Sequence, residues 1–587
     1  MTNKLAVSNI SLSALYPDKT RSVLGRLLLT IGDKLMGLDA LNDVYRQSHL
    51  PGLDKQSFCR ELLRYLKTPL VGATDLKKQI PEQGSCIVVS NHPFGCLEGV
   101  GLAHELGKLR SDVKVLANKA LGMFKEIESH FIFIDPLSPK DPANMSALKA
   151  CKQHLDDGGV LVVFPSGKVS DYESKRARVC DDDWNRVAAQ LARRTDSPVI
   201  PVFFEGQNSP EFIRWGRVWT KTKLLMMFRE ILKRQGQPIQ MRVGKCLPTK
   251  LLAKLKSVET INDYLRLQSH LLDSRYEYQW PDDIIDTMQP LAPEGDKRQI
   301  SAELEALPDE QVLTRYKGFT VYYGYQRQLS TTVKEIARQR ERVFRLHNEG
   351  SGQPIDTDSF DATYVHLFIV QDSTTDIIGA YRMGQTDKLL AEFGEQGLYL
   401  SKMFNFKQGF INHTEPCLEM GRSFIVPEHQ RSFYGLYLLW RGIGEYVVRH
   451  PQYRTLYGTV SLSKLYRPES VECIRQVMTE PSDQVSAKSP FAVPINPEMT
   501  EFFAKHHHQD GVLSAVVQGW ETDSKDVPVL MKQYQKMAAR FYCIGIDESF
   551  NDTPGMLLSV HLPSAPERSL KQYLAEGLES YLQYRSN

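Results

Sequence analysis

SCIVVSNHPFGCLEG, residues 85–99, decides how this chain is read. Its first half is a short apolar run closed by Asn91, the pattern of a strand buried on both faces. Its second half sets His92 and Glu98 six positions apart across Pro93 and Gly95, two residues that favour a turn. A buried strand ending in a polar turn is where α/β enzymes hold substrates. A neutral imidazole there can take a proton near neutral pH. A carboxylate brought back toward it fixes the tautomer and stabilises the imidazolium.

Alone, these residues equally fit a capping turn with a surface histidine. A second cluster shifts the balance. FPSGKVS, 164–170, closes another apolar run, and its backbone N–H groups, Ser166, Lys168 and Ser170 around Gly167 suit an anion. A third turn, EGQNS at 205–209, follows PVIPVFF. The runs VKVLANKA and HFIFID, with the helical stretches NMSALKACKQHL and DWNRVAAQLARR between strands, complete an α/β pattern. We therefore expect a helical region over 1–70 and an α/β domain over 71–250. A helical linker should follow over 251–305, with the boundary near 290–300, where PDDIIDTMQPLAPEGDKRQI is rich in Pro and Asp. A second α/β domain is expected over 306–545, where FTVYYGY, YVHLFIV, IIGAYRM and TLYGTV recur, and a C-terminal tail over 546–587.

Composition narrows the class. A chain of 587 residues exceeds one ordinary core. A net charge of +2 lacks the basic excess of a nucleic-acid binder. The nine cysteines are odd in number and show no CxxC or zinc-ligand spacing, so a reducing compartment is expected and no metal. The N-terminus lacks the apolar core of a signal peptide, and no run approaches the ~18 apolar residues of a membrane span. Residues 211–245 hold nine Lys and Arg against Glu211 and Glu230, interleaved with aromatic and apolar residues. That patch suits a membrane surface or an acidic carrier protein.

The motifs of the first half resemble the lysophospholipid acyltransferase superfamily, whose hallmark is HxxxxD followed by an FPEG-like turn. His92, Pro93, Gly95 and Gly99 match a bacterial branch written HPxGGxDG, FPSG matches its second motif, and Trp184, LARR and EGxNS follow in order. Cys96 replaces a Gly and Glu98 the usual Asp; the added methylene shifts the carboxylate by about 1 Å, which matters to a catalytic contact. The resemblance implies that His92 deprotonates a hydroxyl, Glu98 orients His92, and the alkoxide attacks an acyl thioester. Ser166, Gly167 and Lys168 would bind phosphate or the developing oxyanion.

The second half carries Arg340 and Phe344 four apart, Asp358 and Asp361, Arg382 after a strand-like run, and Glu419 with Arg422. Each fragment alone fits surface ion pairs; together they suggest a polar site. Their order is similar to that of acyl-homoserine-lactone synthases of the GNAT-like fold, although Phe424 stands one place beyond the usual aromatic. YVHL, LW and GTVS look more like a hemolysin-named family that makes the amide of ornithine lipids. This resemblance implies acyl transfer to an amine with Glu419 as base or orienter. Arg340, Phe344, Asp358, Asp361, Arg382 and Arg422 would bind the amino acid or the carrier's phosphopantetheine.

The two halves together resemble the bifunctional ornithine lipid synthases of bacteria. That implies N-acylation of an amino acid, ornithine favoured, by 3-hydroxyacyl carrier protein, then O-acylation of the lyso-aminolipid by acyl carrier protein. No cofactor would be tightly bound. The protein would sit peripherally on the cytoplasmic side of the inner membrane. The alternatives are a glycerolipid acyltransferase with a regulatory second half, an autoinducer synthase, and a non-enzymatic peripheral membrane protein.

Overall fold

The computed structural model describes residues 11, 13, 20–118, 122, 124–134, 142–218, 227, 229–281, 288–412 and 415–584. The chain divides into two units. The first comprises 1–277 and 495–525, the second 278–494 and 526–587.

In the first unit the strands are β1 (Leu70–Val71), β2 (Cys86–Ser90), β3 (Val113–Asn118), β4 (Phe131–Ile134), β5 (Val160–Val163), the ribbon β6 (Asp171–Glu173) and β7 (Arg178–Cys180), β8 (Val199–Phe204) and β9 (Ile239–Val243). Seven form one sheet in the order β1-β9-β8-β2-β5-β3-β4, parallel except where β9 runs against β8. Every residue of β2, β5 and β8 is buried, as an apolar run without alternation requires. Because β8, β2 and β5 are neighbours, their C-terminal ends bring the turns after Ser90, Val163 and Phe204 to one rim. Asn91 stitches two ends: its Nδ2 donates to the Phe204 carbonyl at 2.8 Å and its Oδ1 accepts from the Phe204 N–H at 2.7 Å.

The second unit contains β10 (Val312–Tyr316), β11 (Phe319–Gly324), β12 (Val365–Gln371), β13 (Asp376–Gln385), β14 (Phe404–Phe406), β15 (Cys417–Ile425), β16 (Thr455–Ser461), β17 (Val485–Ala487), β18 (Arg540–Asp547) and β19 (Thr553–His561), of which β14 and β17 form a two-stranded ribbon. Eight form a sheet ordered β10-β11-β12-β13-β15-β16-β19-β18, antiparallel throughout except for the β15–β16 pair. The expected α/β class with two domains holds.

The expected boundaries need three corrections. Residues 546–587 are no tail: β19 pairs with β16 along seven residues and lies inside the sheet. Nor is 306–545 continuous. Residues 495–525 belong to the first unit, where the buried Glu498 accepts from Arg266 Nε at 2.8 Å and pairs with Arg178 at 2.5 Å. The linker also divides, with the helix Val258–His270 in the first unit and Lys297–Glu305 in the second. Ser269 Oγ of the former donates to the Val202 carbonyl at 2.6 Å, which ties it to β8. Among the described residues, no helix is long and apolar enough to cross a membrane.

Candidate active sites

On the rim of the first sheet, His92 Nδ1 stands 3.6 Å from Glu98 Oε1. The imidazole lies against the Phe164 ring, 4.3 Å between centroids, so the FPSG turn backs the histidine directly. Glu98 is fully buried. Its Oε1 accepts from the N–H of Phe94 and of Gly95, the latter at 3.1 Å, and so caps the helix Cys96–Gly107. The longer arm of glutamate reaches back to these two donors. Gly95 makes the turn feasible, since its φ of 94° is hostile to a side chain. Glu98 Oε2 and His92 Nδ1 have no hydrogen-bond partner among the described residues. Small side-chain rotation would close the dyad, and such bonds commonly tighten only with substrate bound. Burial pushes His92 down to about 4 against the pull of Asp181. Burial pushes Glu98 up to about 8 against its backbone donors and the charge of Arg234. Both shifts favour an uncharged pair in a dry site.

Asp181 organises this rim. It is buried; its Oδ1 accepts from the His92 N–H at 3.1 Å and from Ser170 Oγ at 2.5 Å, and its Oδ2 from Trp184 Nε1 at 3.0 Å. The Ser170 N–H donates to the His92 carbonyl at 2.9 Å. One carboxylate thus holds the His92 turn to the FPSG turn. Gly167 takes φ 65°, Ser166 Oγ donates to the Lys168 carbonyl at 2.7 Å, and Lys168 Nζ points outward to Asp182 at 3.1 Å. An anion role for this turn therefore rests on backbone donors more than on the lysine. Arg234 is placed closer to the dyad: its guanidinium lies 3.6 Å from the Phe94 ring centroid, and it feels the charge of Glu98. Burial, Glu98 and Cys59 push the Cys96 thiol up to about 12, which disfavours a thiolate there.

The second sheet builds its site from a split. β15 and β16 pair from Cys417–Thr455 to Met420–Gly458, then continue apart to Ile425 and Ser461. Gly458 closes the paired part, where a Cβ would fall 2.3 Å from the Met420 carbonyl oxygen. The parted strands line a cavity of 530 Å³, with Glu419, Gly421 and Arg422 from one and Thr459 and Ser461 from the other. Buried Glu419 accepts from Tyr364 Oη at Oε1 and from Tyr457 Oη at Oε2, both at 2.8 Å, and the Leu400 N–H lies 3.3 Å away. Burial raises its carboxyl, and these three donors resist.

At the cavity wall, three arginines, two of them lining the cavity, meet three aspartates behind it. Arg340 Nε pairs with Asp356 at 2.8 Å and Nη2 with Asp361 at 3.3 Å; Arg382 Nη1 reaches Asp358 at 2.5 Å and Asp361 at 3.0 Å; Arg422 Nη1 reaches Asp356 at 3.2 Å. Burial pushes the Asp356 and Asp361 carboxyls up, but the arginines win and hold both below their ordinary value. Arg422 takes φ 52°, a left-handed conformation that costs a strand residue about 1 kcal/mol or more. It turns the guanidinium into the cluster and onto Tyr399 Oη at 2.8 Å just where β15 leaves β16.

With both sites in view, the comparisons with known proteins fall into place. Residues 62–277 match the family described as "Acyltransferase", and residues 339–441 match "Acetyltransferase (GNAT) domain". The chain carries an acyltransferase domain and a GNAT domain. It is 30% identical over 190 residues to a glycine N(alpha)-acyltransferase of Phocaeicola vulgatus, covering 30% of this chain and 58% of that protein, so it spans little more than half of that relative's length. It is 26% identical over 227 residues to a lyso-glycine lipid O-acyltransferase of the same organism, covering 37% of this chain and 78% of that one. Among solved structures it is similar to the 1-acyl-sn-glycerophosphate acyltransferase PlsC from Thermotoga maritima, at 16% identity, 44% and 98% coverage and a TM-score of 0.27.

In the acyltransferase domain, then, the structure brings together His92, Glu98 and the turn bearing Ser166, Gly167 and Lys168. In the GNAT domain Phe344, Arg382, Glu419 and Arg422 line the cavity, whereas Arg340, Asp358 and Asp361 brace it through ion pairs. Asp181, Arg234, Tyr364, Asp356 and Tyr457 were missed. Asp356 sits in the same PIDTDSFD stretch as the chosen aspartates, and Tyr457 in TLYGTV, so both were within view. No group of three metal-ligating side chains occurs among the described residues. Of the basic patch at 211–245, residues 219–226 and 228 lie outside the described residues.

Proposed function

We propose that the chain makes a two-chain aminolipid in consecutive steps. The GNAT domain transfers a 3-hydroxyacyl group from a carrier-protein thioester to the α-amine of an amino acid, ornithine being the expected acceptor. The acyltransferase domain then esterifies the new hydroxyl. The observation that carries this reading is one chain with two sites of different chemistry: an imidazole beside a carboxylate in one, a tyrosine-bound carboxylate under parted strands in the other. Of the two relatives, one is named a glycine N(alpha)-acyltransferase and the other a lyso-glycine lipid O-acyltransferase, which supports an N-acyl and an O-acyl step.

In the N-acyl step, the unpaired edges of β15 and β16 offer N–H and C=O groups to an extended thioester arm. Glu419, directly or through Tyr457, takes a proton from the α-ammonium; the free amine attacks the thioester carbonyl, the C–S bond breaks, and the remaining extra proton on nitrogen passes to the departing carrier thiolate. In the O-acyl step, His92 takes the hydroxyl proton, the oxygen attacks the thioester carbon, and the imidazolium returns the proton to the departing thiolate. Ionised Glu98 stabilises the imidazolium, Asp181 holds the two turns in register, and Arg234 with the Gly167 turn supplies positive potential. A lipid intermediate calls for a membrane surface. The helix Val23–Met36 supports one: Val23, Leu24, Leu27, Leu28 and Ile31 expose a continuous apolar face.

Lipid mass spectrometry tests the reading. The full chain, His92→Ala and Glu419→Gln are expressed in a bacterium that makes no aminolipids. The wild type should yield the two-chain lipid, His92→Ala only the one-chain amide, and Glu419→Gln neither. Altered phospholipid chains without any amide would instead favour a glycerolipid acyltransferase.

A further inference from the structure

The cavity under the parted strands contains a second buried carboxylate with no part in the chemistry above. Glu349 lines the same cavity as Glu419 and is 5% exposed. It follows the helix Ser330–Arg345 in a turn fixed on several sides. The Glu349 N–H donates to the Phe344 carbonyl at 2.9 Å, Asn551 Nδ2 to the Asn348 carbonyl at 3.0 Å, and Ser463 Oγ to the His347 carbonyl at 2.5 Å. The side chain is therefore placed, and its Oε2 accepts from Ser461 Oγ at 2.9 Å.

Its neighbours treat it unlike the aspartates behind the wall. Those are matched by arginines, whereas burial lifts the Glu349 carboxyl to about 7 and only the Ser461 hydroxyl opposes the rise. His347, which also faces the cavity, is pushed down by burial and brings no charge at neutral pH. A carboxylate so placed in a cavity suits a cation brought by the ligand.

The position sets the size of that ligand. Ser461 lies three residues beyond Gly458, where the strands part, or about 10 Å along β16. Two nitrogens joined by five extended bonds lie about 6 Å apart, and a hydrogen bond adds about 3 Å. An acceptor whose α-amine attacks at the split thus reaches Glu349 with a second amine at the far end of a three- or four-carbon side chain. Glycine leaves that carboxylate without a counter-ion.

We infer that Glu349 is the specificity residue that binds the side-chain ammonium of the acceptor, so that the GNAT domain takes an α,ω-diamino acid in preference to glycine. This rests on the reading of that domain as an amino-acid N-acyltransferase, and it adds the residue that selects the acceptor.

The test is N-acylation by the purified full chain, with a 3-hydroxyacyl carrier-protein thioester and either ornithine, norvaline (the same side-chain carbons without the amine) or glycine. The wild type should prefer ornithine to norvaline by about 10- to 100-fold in kcat/KM, the range of a charge-assisted contact. Glu349→Gln should raise the KM for ornithine by a similar factor and leave norvaline and glycine within about twofold. Equal use of the three acceptors by the wild type overturns the inference without any variant. So does a Glu349→Gln that slows every acceptor alike, the mark of a structural role. Amide formed from no amino acid overturns the proposed function itself.

Discussion

The two domains handle a buried carboxylate in opposite ways. Glu98 of the acyltransferase domain is met by two backbone N–H groups and faces a histidine it does not quite touch. Glu419 of the GNAT domain is met by two phenols and a backbone N–H, while an arginine–aspartate lattice stiffens the wall around it. The first arrangement leaves His92 Nδ1 without a hydrogen-bond partner among the described residues, 3.6 Å from the carboxylate. The second spreads the work over residues far apart in sequence. One site centres on a His–Glu pair within seven residues at a strand end, held by turns from neighbouring strands; the other is assembled from a helix, three strands and the loops between them.

The sharpest break in the comparison is His92→Ala. It should lower O-acylation by about 10²- to 10⁴-fold and leave N-acylation unchanged, read by separate assays on the full chain. Glu419→Gln should do the converse, with a loss of N-acylation of about 10²-fold or more and O-acylation of supplied lyso-lipid intact. Loss of both activities in either variant would show that the sites are not independent.

Asp181→Asn should act next, lowering O-acylation by about 10-fold or more, since it loosens the histidine turn without removing the base. As a positioning residue it should lower kcat with KM little changed, and Asp181→Glu should not restore it.

A pH series sharpens the contrast further. Burial raises the Glu98 carboxyl from its ordinary 4.5 to about 8, whereas His92 at about 4 is already neutral above pH 5. O-acylation should therefore climb as pH rises through about 8, when Glu98 ionises and can stabilise the imidazolium. Stability should move the other way. A group whose folded pKa is raised contributes its full stabilisation below 4.5 and loses it as pH rises through about 8. Glu98→Gln should flatten both trends, checked by rate profiles and by thermal melts over the same buffers.

The smallest expected effect comes from Lys168→Ala. Its ammonium is more than half exposed and paired with Asp182 on the surface, so O-acylation should fall by less than about threefold. A larger loss would move the anion site from the backbone of the turn to the lysine.

The same contrast explains what was legible in the sequence. NHPFGCLEG, FPSGKVS and EGQNS are contiguous, end apolar runs, and fall on neighbouring strands, so reading each turn was nearly reading the site. Asp181 was invisible because, beyond its local bond from Trp184, its partners are the backbone N–H of His92 and the side chain of Ser170, contacts no local spacing encodes. In the GNAT domain the charged residues were recognisable, but their pairing was not. Arg340 and Asp361 were expected at the ligand, yet each is closed by the other and by neighbours because an unpaired charge would not survive that burial. Residues 546–587 were misread because β19 looks like any short apolar run until β16 is found beside it.

The return of residues 495–525 to the first unit bears on how the protein is born. The acyltransferase domain cannot complete itself when Glu277 leaves the ribosome, because Glu498, the partner of Arg178 and Arg266, lies in a segment not yet made. At 5–20 residues per second, translation reaches it roughly 10 to 50 s later. During that interval the nascent first unit holds buried arginines without their carboxylate and is a natural client for chaperones. A gene cut near codon 290 would make that interval permanent.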